Sequence, residues 1–227
     1  MKWNGSTLRR TKLNRIDLIK QETTKFILFF IGLICIALGS VYMIKVSNLG
    51  VQPFDTFHIA VSEKLPITIG TSVIILGIIL VISSFLLTKE KIKIGTILDT
   101  IFTGILIDLF LHIDFILTPD SIIWKYAYLL LGIILISLGS ALTILSNIGA
   151  GPIDTFMLSI CKTCHLSVKM ATTLIEGIAL TVGILLGGPF GFGTLLFLIC
   201  IGVFIEFFLK ILAPLKAEHI PPLEKAS

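Results

Sequence analysis

"SNLGVQPFDTF" (residues 47–57) follows a long apolar run and is written again as "SNIGAGPIDTF" (146–156), ninety-nine residues later with seven of eleven positions identical. A turn acting alone needs no copy, so the pair reads as the mark of a duplicated unit. In each version Gly50 or Gly149 permits the backbone angles of a helix end. Pro53 or Pro152 cannot continue the preceding helix, and Asp55 or Asp154 can cap a new one by accepting from its first amides. A short helix is expected after each turn. The eleven residues from Asp55 to Leu65 would reach about 16 Å, half a bilayer, so each is expected to be a re-entrant or interfacial helix and not a crossing. Broken backbone at that depth is tolerated only where protein or a water-filled cavity covers it. Gln52, between the Gly and the Pro, reads as a tolerant position.

Outward from the turns, the repeat grows. Gly32, Leu38, Gly39 and Ser40 match Gly132, Leu138, Gly139 and Ser140 at an offset of 100. Gly95, Thr96, Gly104 and Asp108 stand 98 residues before Gly193, Thr194, Gly202 and Glu206. Six apolar runs carry these marks: 26–46, 67–87, 92–113, 122–145, 166–186 and 192–212. Each is long enough to cross a hydrocarbon core of about 30 Å, which needs roughly 20 helical residues. The runs are continuous and not alternating, and backbone facing lipid must bond to itself, so they predict helices and not strands.

Composition agrees. The 227 residues are 55% hydrophobic and 14% charged, with a mean hydropathy of +1.03, too little polar surface for a soluble globule of this size. The expected fold is an all-α membrane protein with six transmembrane helices in two three-helix repeats, 26–113 and 122–212. An external linker, 114–121, joins them, and a basic segment, 1–25, and a tail, 213–227, flank them. A unit with an odd number of crossings enters its second copy from the opposite side, so the repeats are expected to be inverted.

Charge sets the orientation. With the N-terminus inside, fifteen of the eighteen Lys and Arg residues fall on the cytoplasmic side, and only Lys45, Lys64 and Lys125 on the external one. The positive-inside rule then puts both termini in the cytoplasm of a multi-pass protein. Residues 1–25 are polar throughout and are followed by an apolar run of spanning length, so they do not read as a cleaved signal peptide. They read as a basic topology signal or as an amphipathic helix on anionic lipid. The net charge of +4 is mostly this asymmetry, and the scattered basic residues, without an aromatic platform, do not point to nucleic acid.

The paired G-x-x-P-x-D-T-F turns, with the G-T…G…D/E pattern on the third helix of each half, resemble the YczE/YyaS/YitT family of bacterial integral membrane proteins from Phe26 to Leu212. The YczE branch resembles the chain more closely, because the chain stops after its sixth helix without the soluble C-terminal domain of many YitT-type members. The resemblance implies a bacterial plasma-membrane location and a fold; the family has no agreed molecular activity to lend.

Carboxylates inside spanning helices are the candidate sites, since a charged Asp there costs on the order of 2.5–3.5 kcal/mol unless it meets a cavity or a partner. Glu176 falls well inside helix five, opposite the apolar Leu76–Gly77 step of helix two. Asp108 and Glu206 are repeat-related, although each nears its outgoing interface and Glu206 can pair with Lys210 one turn on. Asp99 lies near the cytoplasmic start of its helix, where interfacial water could reach it. Asp55 and Asp154 read first as helix caps, and second as ligands beside helix N-termini at the pseudo-symmetric centre.

Cys161-Lys162-Thr163-Cys164-His165 is a literal C-x-x-C-H, but it faces the cytoplasm and the other half has Ser62, Leu65 and Pro66 at the matching positions, so haem attachment is rejected. There is no G-x-S-x-G, H-E-x-x-H or Walker loop, and His58, His112, His165 and His219 fall on different segments. No catalytic residue, metal or cofactor is expected. The chain is expected to transport a small solute or ion across the lipid bilayer as a permease without its own ATPase. The alternatives are a non-transporting regulatory or assembly factor and the substrate-binding membrane subunit of an uptake complex. A homo-oligomer or a membrane partner stays open.

Overall fold

Pro53 and Pro152 each open a helix in the computed structural model, which describes residues 5–113 and 115–213. The described residues form eight α-helices and no strand: α1 (Gly5–Ile44), α2 (Pro53–Lys64), α3 (Ile69–Thr88), α4 (Ile94–Ile113), α5 (Ile122–Ser146), α6 (Pro152–Cys164), α7 (Val168–Leu185) and α8 (Phe192–Ile211). A single 3-10 turn, Ser47–Leu49, joins α1 to the first repeated turn. Residues 1–4 of the expected basic segment, Asp114 of the linker and 214–227 of the expected tail lie outside the described residues.

Two boundaries differ from expectation. α1 runs forty residues without a break, because no Gly or Pro interrupts the chain between Gly5 and Gly32. Position 25 is therefore not a helix boundary, and the basic segment from residue 5 continues into the apolar stretch Glu22–Ile44. α7 is shorter than the run 166–186. The Ser167 side chain accepts from the Met170 amide and starts the helix after itself, and Gly187, with φ +90°, turns the chain just past its end. Five helices are long and apolar enough to cross a membrane, with α7 contributing a shorter apolar stretch, Met170–Leu185.

Glycines fix how the longest helices meet. A Cβ on Gly39 would lie 2.7 Å from the Gly132 carbonyl oxygen, and one on Gly32 would lie 2.8 Å from that of Gly139. The reverse contacts, from Gly132 to Gly39 and from Gly139 to Gly32, are equally close. Small residues let two helix backbones approach where lipid supplies no hydrophobic drive. Early residues of α1 meet late residues of α5 and late meet early, so the two helices run antiparallel.

Around this seam the short helices cross over. α2 packs on α7 and α6 on α3, while α4 lies on α1 and α8 on α5. The turns before α2 and α6 dock on the last helix of the other half. Gly50, at φ +104°, lies so close to Gly191 and Thr194 that a Cβ would come within 2.8 Å of their amides. Gly149 does not share the left-handed angle; Asn147 takes it in the second turn, at φ 55°. Gly149 is there for room, because a Cβ would stand 2.6 Å from the Thr96 amide. The outer faces are apolar: Ile123, Leu185 and Ile199 are 75%, 80% and 73% exposed, a surface suited to hydrocarbon and not to water.

Candidate functional site

Both turns lead to the same place. Pro53 and Pro152, the first residues of α2 and α6, line a central cavity of 230 Å³. The helix N-caps fall on Gln52 and Gly151, and neither side chain or backbone there supplies a side-chain cap. This corrects the capping role expected of the aspartates. Asp55 stands in the first turn of α2, 2% exposed, and its Oδ2 has no hydrogen-bond partner. A buried polar atom left unpaired costs about 1–3 kcal/mol. The Gln52 and Ser40 side chains stand beside this carboxyl but bond to each other, which leaves Oδ2 as an available acceptor on the cavity wall.

Four of the six expected carboxyls meet here. Asp55 from α2, Asp99 from α4, Asp154 from α6 and Glu176 from α7 all line the cavity. Asp55 and Asp99 are buried, Glu176 is half-buried and Asp154 is exposed. Asp99 is thus not an interfacial residue: α6 covers it, and the Thr103 hydroxyl donates to its Oδ1 at 3.4 Å. Asp154 is within electrostatic reach of both Asp99 and Glu176. No Lys or Arg lies among the described residues of the wall, and no three His, Cys, Asp or Glu side chains among the described residues converge as metal ligands.

Two wall residues were not expected at the site. Gln52 Nε2 donates to Ser40 Oγ at 2.9 Å, tying the turn to α1, so it is not a neutral spacer. His58 Nδ1 lies 3.0 Å from Ser72 Oγ, linking α2 to α3 behind Asp55. The signal for His58 was its spacing, three residues after Asp55 and hence on the same face of a short helix.

Asp108 and Glu206 lie away from the cavity and differ from each other. Asp108 Oδ1 accepts the Gly70 amide at 2.8 Å, and its Oδ2 accepts the Thr68 hydroxyl, which locks α4 to the start of α3. Glu206 is exposed and pairs with Lys210 at 2.7 Å. The surrounding helices differ in the same way. A Cβ on Gly70 or Gly104 would strike the other helix, whereas Gly177 and Gly202 on α7 and α8 have nothing within 4 Å. The Thr96 hydroxyl donates to the Ala150 carbonyl at 2.7 Å, but the repeat-related Thr194 hydroxyl is buried without a partner.

Residues 23–210 match the profile of a family of unknown function, DUF6198. The chain belongs to this family. It is 32% identical to the "Uncharacterized membrane protein YczE" of Bacillus subtilis, over 83% of this chain and 87% of the relative. An "Uncharacterized protein" of Haemophilus influenzae is 32% identical over 88% of each chain. YyaS of Bacillus subtilis is 30% identical over 86% of this chain and 95% of its own. No solved structure matches. This DUF6198 member is therefore a membrane protein with several apolar helices, akin to YczE and YyaS as the turn motifs implied.

Proposed function

We propose that the protein is a small-solute transporter of the bacterial plasma membrane, built as six spans in two inverted three-helix repeats and working without an ATPase of its own. One observation carries this reading: two repeat-related helix pairs flank one cavity, and only one pair is closed. α3 and α4 pack closely and are locked by Asp108. α7 and α8 make at most marginal contact. In an inverted repeat the two halves can exchange such arrangements at small cost, which moves the opening of a central site from one side to the other. With the orientation expected from charge, the closed pair is the external gate and the open pair the cytoplasmic one.

The antiparallel glycine seam and the crossing of α2 and α6 support the inverted arrangement, and α7 serves as the fifth crossing. The test uses Ile107 and Ile205, which are repeat-related, both on the cavity wall and unequally covered. In a background without the four native thiols, Ile205→Cys should react with a membrane-impermeant maleimide from the cytoplasmic side. Ile107→Cys should react more slowly from outside. An Ile107→Cys variant inert from both sides would mean a wall that never changes face, and the transport reading would fall.

A further inference from the structure

The cavity gathers four carboxyls and, among its described lining residues, no Lys or Arg. The N-termini of α2 and α6 each contribute a partial positive charge of about one half, set against Asp55 and Asp154 in the first turn of the same helices. Asp99 and Glu176 come from other helices and add two more carboxyls, with no Lys or Arg on the described wall to pair with them. His58, the one imidazole on the wall, is engaged with Ser72. Within the cluster, Asp55 Oδ2 is buried and has no hydrogen-bond partner, with the Gln52 and Ser40 side chains beside the same carboxyl.

The rest of the wall is mixed: Phe54 and Ile153 on the short helices and Phe197 and Ile201 on α8 give it apolar patches, and Ser40, Thr100 and Thr143 add hydroxyls. A cavity of 230 Å³ has the volume of about seven or eight waters. A lone inorganic ion would fill little of that space and leave the Phe and Ile side chains facing water. An ammonium group with a short alkyl body satisfies both surfaces, because its N–H donors meet separated carboxyls while its carbon chain covers the Phe and Ile side chains.

We propose that this cavity binds a small organic cation of the alkylammonium class, the ammonium held among Asp55, Asp99 and Glu176 and the body against Phe54 and Phe197. This rests on the cavity being the solute site of the proposed transporter, but not on the gates moving. The probe is n-butylammonium chloride at fixed pH 7, added to the purified full chain while its melting temperature is followed. Sodium chloride, n-butanol and sodium butyrate serve as charge-only, neutral and anionic controls.

The expected result is a saturating rise of about 5 °C or more with n-butylammonium alone. The rise should be lost in Asp99→Asn and in Glu176→Gln, the second being half-buried where Asp99 is buried. An equal rise with sodium chloride, a rise with butyrate, no rise with any probe, or an unchanged response in a folded Glu176→Gln protein would each overturn the assignment. If the Ile107 and Ile205 thiols alternate but n-butylammonium has no effect, the transporter stands and this ligand class falls. If n-butylammonium binds while Ile107→Cys stays inert, the site is a receptor for organic cations and the transport reading falls.

Discussion

The Asp108 carboxylate accepts the Gly70 amide at 2.8 Å, so a side chain of α4 satisfies an orphan donor in the first turn of α3. Its repeat-related residue, Glu206, bonds within its own helix to Lys210. One sequence position thus makes a bond between helices in the first half and a bond along a helix in the second. Asp108→Ala should loosen the first pair by about 1–3 kcal/mol and speed external maleimide labelling of Ile107→Cys. Asp108→Asn keeps an oxygen for the Gly70 amide and should be milder. Equal labelling rates in all three backgrounds would show that this bond does not hold the pair shut.

The glycines give a test without thiols. Gly39→Ala would push a Cβ to 2.7 Å from the Gly132 carbonyl oxygen, so it should destabilise by about 1–3 kcal/mol despite the better helix propensity of Ala. Gly202 has open space around it, and Gly202→Ala should leave the melting temperature unchanged or slightly raised. On the proposed exchange of the two halves, Gly202 would take the packed place of Gly104, so the same variant should slow any solute flux. Melting temperature and flux therefore separate at this position.

Gln52→Ala removes the hydrogen bond to Ser40 and should cost about 1 kcal/mol, read as a lower melting temperature. Pro53→Ala and Pro152→Ala test the turn differently. Each restores an amide at the first helical position, where it needs no intrahelical partner, and each frees the preceding residue to extend the earlier helix. Folded yield should fall in both.

Orientation is checked at the loops. Asp120→Cys should react with an impermeant maleimide on intact cells, and Lys91→Cys only after permeabilisation. The reverse pattern would invert every assignment of gate to side.

The duplicated turn told most of what the fold does locally, because Pro at a first helical position and Gly at a positive φ are requirements of backbone geometry that sequence carries openly. Gly149 was harder to read. Its reason is the nearness of Thr96, a contact between residues far apart in sequence. Asp99 was misjudged in the same way, since distance along a helix suggested an interface while α6, folded across from the other half, buries it. The start of α7 was written in Ser167, hidden inside an apolar average, and its end in Gly187, just past the apolar run. For Glu176, a charge where its repeat-related neighbour has none was signal enough.

The seam between α1 and α5 meets its own image: Gly32 faces Gly139 as Gly132 faces Gly39. A surface complementary to itself under two-fold rotation is what a homodimer uses. A half-length chain inserted into the bilayer in both directions would already possess this joint, and gene fusion would only have tethered what was self-assembling. On the proposed inverted repeat, such a fusion would also have freed the halves to differ, as they do where Glu176 stands against the apolar Leu76–Gly77 step.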